Sequence, residues 1–342
     1  MKAVVLDAFG GPEVLLVREV PRPAPGPDEV LIRIRCCGVC HLDLILRSGM
    51  RSRVKTPRIL GHELAGEVVE VGSNVREWVT GDRVASFNFQ SCGHCEDCLR
   101  GHPSLCRQTR GDIGQTRDGG YAEYAVLLQS NLVKVPDGMP LEHACFGACV
   151  YGPPYKAIRQ VGRIQPGQTV VITGASGGLG LAAIQITRRL GARSIAITSS
   201  AGKVQRLKEA GADDVVVSSD GAFGDEVRKL TDGRGADLVV ELIGSPTFHG
   251  SLRSLAPGGR VAVIGELHGK PIEINLGLMI IKEWELHGVQ SASRAELQEV
   301  LQFMHEAGIE PVIWKSLPLE QAAEAHRELA NREVVGRILL VP

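Results

Sequence analysis

Cys92-Gly-His94-Cys95-Glu-Asp-Cys98 continues through seven residues to Cys106, a C-x2-C-x2-C-x7-C spacing. Four thiolates on one short loop can close a tetrahedron around zinc, which makes a structural clamp with no open position for a substrate. An iron-sulfur cluster is the competing reading, but the ferredoxin run ends on a spacing of about three followed by proline, and the last interval here is longer. His94 and His102 share the loop and read as solvated residues. Two other segments, Gly38-Val-Cys40-His41-Leu42-Asp43 and Gly61-His62-Glu63-Leu-Ala-Gly66, bring thiol, imidazole and carboxylate groups into the same half of the chain. Those are the types that ligate metals and move protons.

A third constellation is built for phosphate. The apolar run Thr169–Thr173 enters Gly174-Ala-Ser176-Gly177-Gly178-Leu179-Gly180, and a helical period with Leu181, Ile184 and Leu190 follows. Glycines let the backbone turn sharply and approach a pyrophosphate, which the first amides of the helix then hold. The acid that would bind an NAD ribose about twenty residues further on is missing. From Gly174 to Lys208 there is no Asp or Glu, and the second strand ends in Thr198-Ser199-Ser200 with Lys203 and Arg206 behind it. Hydroxyls and cations suit a 2′-phosphate, so NADP(H) is expected over NAD(H).

The elements that must position these groups fall into two kinds. Up to about Tyr155 the chain runs in short alternating segments such as Glu29–Arg35, broken by Pro and Gly, which predicts a β-rich, irregular domain. From about Gln168, apolar strands at Thr169–Thr173, Ser194–Thr198, Asp214–Val217, Asp237–Glu241 and Arg260–Ile264 alternate with helical periods, hence βαβ units and a doubly wound parallel sheet. Helices over Ala295–Glu306 and Leu319–Leu329 and a strand over Gly336–Val341 are expected to return to the first domain. The 342 residues suit two domains at about 150 each.

Composition excludes several classes. With 38 basic and 39 acidic residues the net charge is −1, which gives no general pull toward nucleic acid or an anionic membrane. Asp7 interrupts what would be a signal-peptide core, and no apolar run approaches ~18 residues, so a soluble cytoplasmic protein is expected. Nine cysteines in such a chain point to metal ligation or reactive thiols rather than a disulfide framework.

The lobe of four cysteines, the run Gly61-His62-Glu63-x2-Gly66-x5-Gly72-x2-Val75 and the glycine loop stand in one order. In that order the chain resembles the zinc-containing medium-chain alcohol dehydrogenases over essentially its whole length. The resemblance implies a GroES-like catalytic domain at 1–155 and 290–342 and a Rossmann domain at 156–289, with substrate and nicotinamide meeting between them. It implies that Cys40, His62 and Cys149 ligate a catalytic zinc, with Glu63 nearby and Asp43 orienting His62. Zinc would thus be present twice per subunit. Cys145 lies one helical turn before Cys149, whose six-residue interval to Tyr155-Lys-Ala-Ile158 is the family's; Cys36 and Cys37 read as structural. Arg337 would reach the cofactor pyrophosphate and Arg294 would contact it nearby, while Phe87 and Met50 would wall the pocket. A homodimer or homotetramer is implied, with edge strands such as Glu285–Val289 pairing between subunits.

The sequence departs from the family at the proton path. Where the family has a relay Ser or Thr, two residues after the first ligand, Leu42 stands; Ile45 replaces a histidine further on, and Pro153 with Pro154 replaces a Thr near the nicotinamide. His41 or bound water would have to handle the proton. The leading expectation is zinc-dependent hydride transfer between NADP(H) and an alcohol or carbonyl. The alternative is an enoyl reductase of the acryloyl-CoA type, whose zinc-bearing members also lack the relay hydroxyl. The segment Gly244–His249 and the tail from Leu278 resemble those enzymes, and Arg51, Arg53, Lys55 and Arg58 could face CoA phosphates if they are not a solvated surface. A catalytically silent NADPH-binding protein is a minor alternative.

Overall fold

The strand Glu29–Val39 is the spine of the first unit. Its side chains alternate little, and eight of its eleven residues are buried because both of its faces are covered. It pairs antiparallel with Glu63–Val71, with Tyr124–Leu128 and with the C-terminal strand Arg337–Val341. Arg83–Ser86, Leu132–Lys134 and Ile313–Pro318 complete a seven-stranded sheet, and Leu15–Glu19, Lys2–Leu6 and Arg58–Ile59 form a small three-stranded one. Val4, Leu6, Ile32, Leu64, Tyr121 and Leu127 lie in the core between them.

The computed structural model describes residues 1–266 and 269–342. Two compact units divide the chain: 1–149 with 291–342, and 150–290. The first junction falls six residues before the expected one. The reason is local, since the helical run 147–161 does not stop at 155, and within the second unit the Tyr151 hydroxyl donates to Gln185 Oε1 (2.6 Å) on the helix Gly178–Arg189.

The second unit is a six-stranded parallel sheet. In chain order its strands are Thr169–Ile172, Arg193–Thr198, Asp214–Val217, Ala236–Glu241, Leu255–Val263 and Glu285–Gly288, and in space they run third, second, first, fourth, fifth, sixth. Val170, Val171 and Ile172, like Leu238, Val239 and Val240, are fully covered, as strands of a sheet with helices on both faces must be. The fold is therefore α/β, a GroES-like β-rich domain with a Rossmann-like one. The C-terminal helix Ala322–Ala330 and strand Arg337–Val341 return to the first unit, as the sequence predicts. Among the described residues no helix is long and apolar enough to cross a membrane.

Candidate functional site

Sheet register assembles the first site. Gly38 pairs with Glu63, so Val39 stands opposite His62. On the other edge Ile338 pairs with Val39, which sets Arg337 opposite Cys40. Three strand ends thus deliver Cys40, His62 with Glu63, and Arg337 to one place, and Cys149 reaches it from the end of the unit's helical segment. Cys40 Sγ, Cys149 Sγ, one His62 nitrogen and a Glu63 carboxylate oxygen all lie within 4.8 Å of one another. Cys149 Sγ is 3.6 Å from His62 Nε2. That separation matches the edge of a tetrahedron, about 3.5 Å, drawn by Zn–S bonds of about 2.3 Å and Zn–N bonds of about 2.0 Å.

The electrostatics suit a cation. Cys40 is held well below its ordinary range, first by the Cys149 thiol that hydrogen-bonds it and then by Arg337 and His62, against the opposing effect of burial. Burial alone would lower His62, but the charge and hydrogen bond of Asp43, with Cys40, raise it well above its usual value. Burial pushes the Glu63 carboxyl up to about 7 although Arg337 pulls it down. Among the described residues buried Glu63 Oε2 has no hydrogen-bond partner, while Oε1 accepts from Arg337 (3.1 Å). Glycine suits position 38, because a Cβ there would stand 2.8 Å from the ring of the fully buried Phe146 and would crowd the Glu63 side chain. Asp43, on the helix His41–Arg47, takes His62 Nδ1 on Oδ1 (3.1 Å) and the Cys40 amide on Oδ2 (2.9 Å).

The second cluster needs no tertiary register. Cys92, Cys95, Cys98 and Cys106 lie with Sγ separations of 3.9, 3.4, 3.8 and 3.6 Å around the group. Disulfide sulfurs are about 2.05 Å apart, whereas four thiolates on one zinc stand about 3.8 Å apart. The Cys92 thiol is lowered to about 6, chiefly by the His94 amide, whereas burial first and then the Cys95 thiol raise Cys98 to about 12. His94 is spent on Cys92 O (2.9 Å) and Gln108 Oε1 (3.1 Å), and His102 is exposed.

In the second unit the glycine loop follows Thr169–Ile172. Gly174 takes φ +57°, Gly177 caps the helix Gly178–Arg189, and a Cβ on Gly180 would meet the Ala175 backbone at 2.5 Å. Ser176 lies in this turn, and Leu179 is in the first turn of the helix. Thr198 ends the neighbouring strand, with its hydroxyl accepting from the Ser200 amide (3.3 Å). Lys203 follows on a short turn, its pKa lowered by burial and then by Arg206.

Other expected residues are placed as follows. Arg337 has its guanidinium on Glu63 and 3.8 Å from Cys40 Sγ. Arg294 donates to Leu132 O (3.0 Å) and Glu77 (2.5 Å) in the first unit. Leu42 packs on the apolar core, Phe87 is buried and Met50 is exposed. Pro153 and Pro154 are buried in the helical segment, and His41 is half-buried. Cys36, Cys37 and Cys145 are buried; Cys145 Sγ donates to Glu142 O (3.3 Å). Arg58 is committed to Asp118 (2.9 Å), and Arg51, Arg53 and Lys55 are exposed. Sequence reasoning missed Tyr121 and His326, which approach Asp43 from distant parts of the chain; neither sits in a motif. Gly38 lies in a quoted motif, and its glycine was the signal.

Residues 26–137 match the alcohol dehydrogenase GroES-like domain, and residues 178–306 match the zinc-binding dehydrogenase family. The chain is 38% identical, over the full length of both, to an acryloyl-coenzyme A reductase of Sulfurisphaera tokodaii. Among solved structures it resembles AibC, with 46% identity, TM-score 0.95 and 100% of this chain and 96% of that one covered. It also resembles an NAD-dependent alcohol dehydrogenase, with 37% identity, TM-score 0.93 and both chains covered completely.

Proposed function

Since the chain belongs to the zinc-binding medium-chain dehydrogenase/reductase family, we propose that it is an NADPH-dependent reductase of a small enoyl thioester of the acryloyl-CoA class. Cys40, His62 and Cys149 would hold one zinc, and Cys92, Cys95, Cys98 and Cys106 the other. The observation that carries the substrate class is Leu42. A dehydrogenase acting on an alcohol must take a proton from an oxygen buried at the metal, and the residue at the relay position is an alkyl side chain packed on the core. Similarity to the acryloyl-CoA reductase supports the same reading.

When bound, zinc supplies a Lewis acid for a carbonyl oxygen, and the nicotinamide supplies hydride. The chain's own residues do the rest. The thiolates of Cys40 and Cys149 would offset the charge of a divalent cation, and His62 would join them as a neutral ligand. Asp43 orients His62, and Arg337 balances Glu63. His41, half-buried next to Cys40, is the group we assign to relay a proton from solvent water to the reduced substrate. Gly174, Ser176, Gly177, Gly178 and Leu179 would cradle the pyrophosphate, and Thr198, Ser199, Ser200 and Lys203 the 2′-phosphate.

A second reading, hydride exchange between NADP(H) and an alcohol or carbonyl, is favoured by the resemblance to an NAD-dependent alcohol dehydrogenase. Crotonaldehyde separates the two because it offers C=O and C=C in one molecule. With zinc-replete protein and NADPH, butanal is expected, from hydride and a proton added across the alkene. Crotyl alcohol would overturn the enoyl reading and leave the alcohol dehydrogenase. We further assign the chain to a homodimer or homotetramer.

A further inference from the structure

We propose that Arg47, His326 and Tyr121 form a one-way hydrogen-bond chain that acts through Asp43 to fix the tautomer and orientation of His62. The inference rests on the metal-site reading above. All five side chains are buried: Asp43, His62, Tyr121 and His326 completely, Arg47 nearly so. Asp43 and Arg47 lie one turn apart on the helix His41–Arg47, and the circuit between them is closed by Tyr121 and by His326 on the helix Ala322–Ala330.

The direction of every bond follows from what each group can do. A guanidinium only donates, so Arg47, 3.2 Å from His326 Nδ1, makes that nitrogen an acceptor. The His326 ring is neutral near pH 7, since burial lowers its pKa to about 4. A neutral ring that accepts at Nδ1 carries its proton on Nε2, which therefore donates to the Tyr121 hydroxyl oxygen (3.3 Å). The hydroxyl proton is left to point at Asp43 Oδ2 (3.0 Å), and burial, first among several causes, raises Tyr121 so far that it keeps this proton. Oδ2 also takes the Cys40 amide, which can only donate. With Oδ2 fully engaged by donors, the His62 Nδ1 proton goes to Oδ1 (3.1 Å), and the lone pair of His62 Nε2 faces Cys149. That is the tautomer a metal ligand needs.

The ordinary alternative is a core histidine and tyrosine that satisfy each other and nothing more. Their rings do meet edge to face, with centroids 5.9 Å apart and planes at 82°. A packing role would cost stability without touching the metal. Tyr121, His326 and Arg47 as positioning residues have a different signature, because outer partners of a ligating histidine are worth about 10-fold or more in metal affinity.

The test uses the full-length protein with zinc and a competing chelator. Tyr121→Phe, which keeps the ring, is expected to weaken the Cys40 site about 10-fold while the four-cysteine site keeps its zinc. His326→Leu should weaken it too, and the double variant should lose no more than Tyr121→Phe alone, since both cut one chain. Unchanged zinc affinity in Tyr121→Phe, or additive losses in the double variant, would overturn the proposal. Cys40→Ser is the control that keeps the two readings apart: if it still retains two zinc ions the metal-site reading fails, whereas loss of one zinc there with none in Tyr121→Phe refutes only the chain. A measurement needing no variant is the nitrogen-15 spectrum of the histidine rings in the native protein. His326 is expected as the Nε2–H tautomer and His62 as Nδ1–H, and the reverse assignment for His326 refutes the direction of the chain.

Discussion

Lys203 is a partly buried ammonium beside a second cation. Burial and then Arg206 both disfavour its charge, a disadvantage that a bound dianion would relieve. Removing Lys203 should therefore be felt by NADPH and not by NADH. Lys203→Ala is expected to raise KM for NADPH about tenfold, equivalent to roughly 1.4 kcal/mol of one charge-assisted contact, with KM for NADH within about twofold. Equal rises for both cofactors would remove the 2′-phosphate reading. His326 gives a prediction of another kind. Its folded pKa of about 4 lies below the ordinary 6.5, so between those values the unfolded chain binds a proton that the folded one refuses. The stability it leaves intact above pH 6.5 is lost as pH falls toward 4, by about 3 kcal/mol in this fully buried site. Denaturant titrations of wild type and His326→Leu across that window should show a shallower acid slope in the variant; parallel slopes would contradict the assignment. These two residues also mark what the sequence could and could not disclose. Lys203 is legible because it follows a strand end at a set interval from the glycine loop. His326 is not, since its partners Tyr121 and Arg47 lie 205 and 279 positions away and nothing local marks it.

Elements differ in what holds them. The lobe from Cys92 to Cys106 contains only the four-residue helix Glu96–Leu99 and the short turn Pro103–Leu105, and its larger apolar residues, Leu99 and Leu105, are exposed. So little packing is a weak match for the conformational entropy of fifteen residues, and the zinc ligation proposed for the four thiolates would supply the missing order. Cys98→Ser is expected to lower Tm by more than about 5 °C, to reduce bound zinc by one and to open the lobe to protease, with the Cys40 site still loaded. Full zinc content with an unchanged Tm would show that the lobe stands without metal. This lobe was readable from spacing alone, because all its ligands are neighbours in sequence. The fifth strand of the parallel sheet was read less well, as Arg260–Ile264 against an actual Leu255–Val263. Pro257-Gly258-Gly259 has the look of a turn, yet the strand pairs Ala236 with Leu255 and then jumps to Leu238 with Arg260, absorbing the turn residues as an irregularity inside the strand. Register likewise explains why Cys40 and His62 could be grouped only by resemblance, and why Arg337, expected at the pyrophosphate, was not grouped with them: two antiparallel pairings, between strands that start 34 and more than 300 positions apart, bring them together.

At the scale of the molecule, the second unit carries the surface on which the proposed homodimer would close. The strand Glu285–Gly288 is the edge of the parallel sheet, with its outer row of amides and carbonyls available to another strand. Just before it, the helix Leu276–Lys282 exposes Leu276 (68%), Ile280 (75%) and Ile281 (78%), an apolar density that a solvated seven-residue helix does not need. Two copies related by a two-fold axis would continue the sheet edge to edge and cover both helices at once, the self-complementary arrangement that closed dimers favour. The net charge of −1 sets no long-range barrier to that approach. Ile281→Glu places two like charges in the covered patch without touching the cysteine sites or the glycine loop. Light scattering after gel filtration is expected to give a multiple of 36.7 kDa for the wild type and a shift toward the single chain for the variant, each with its zinc content unchanged. A wild-type mass of one chain would refute the dimer outright, and an Ile281→Glu variant that stays assembled would move the interface away from this edge.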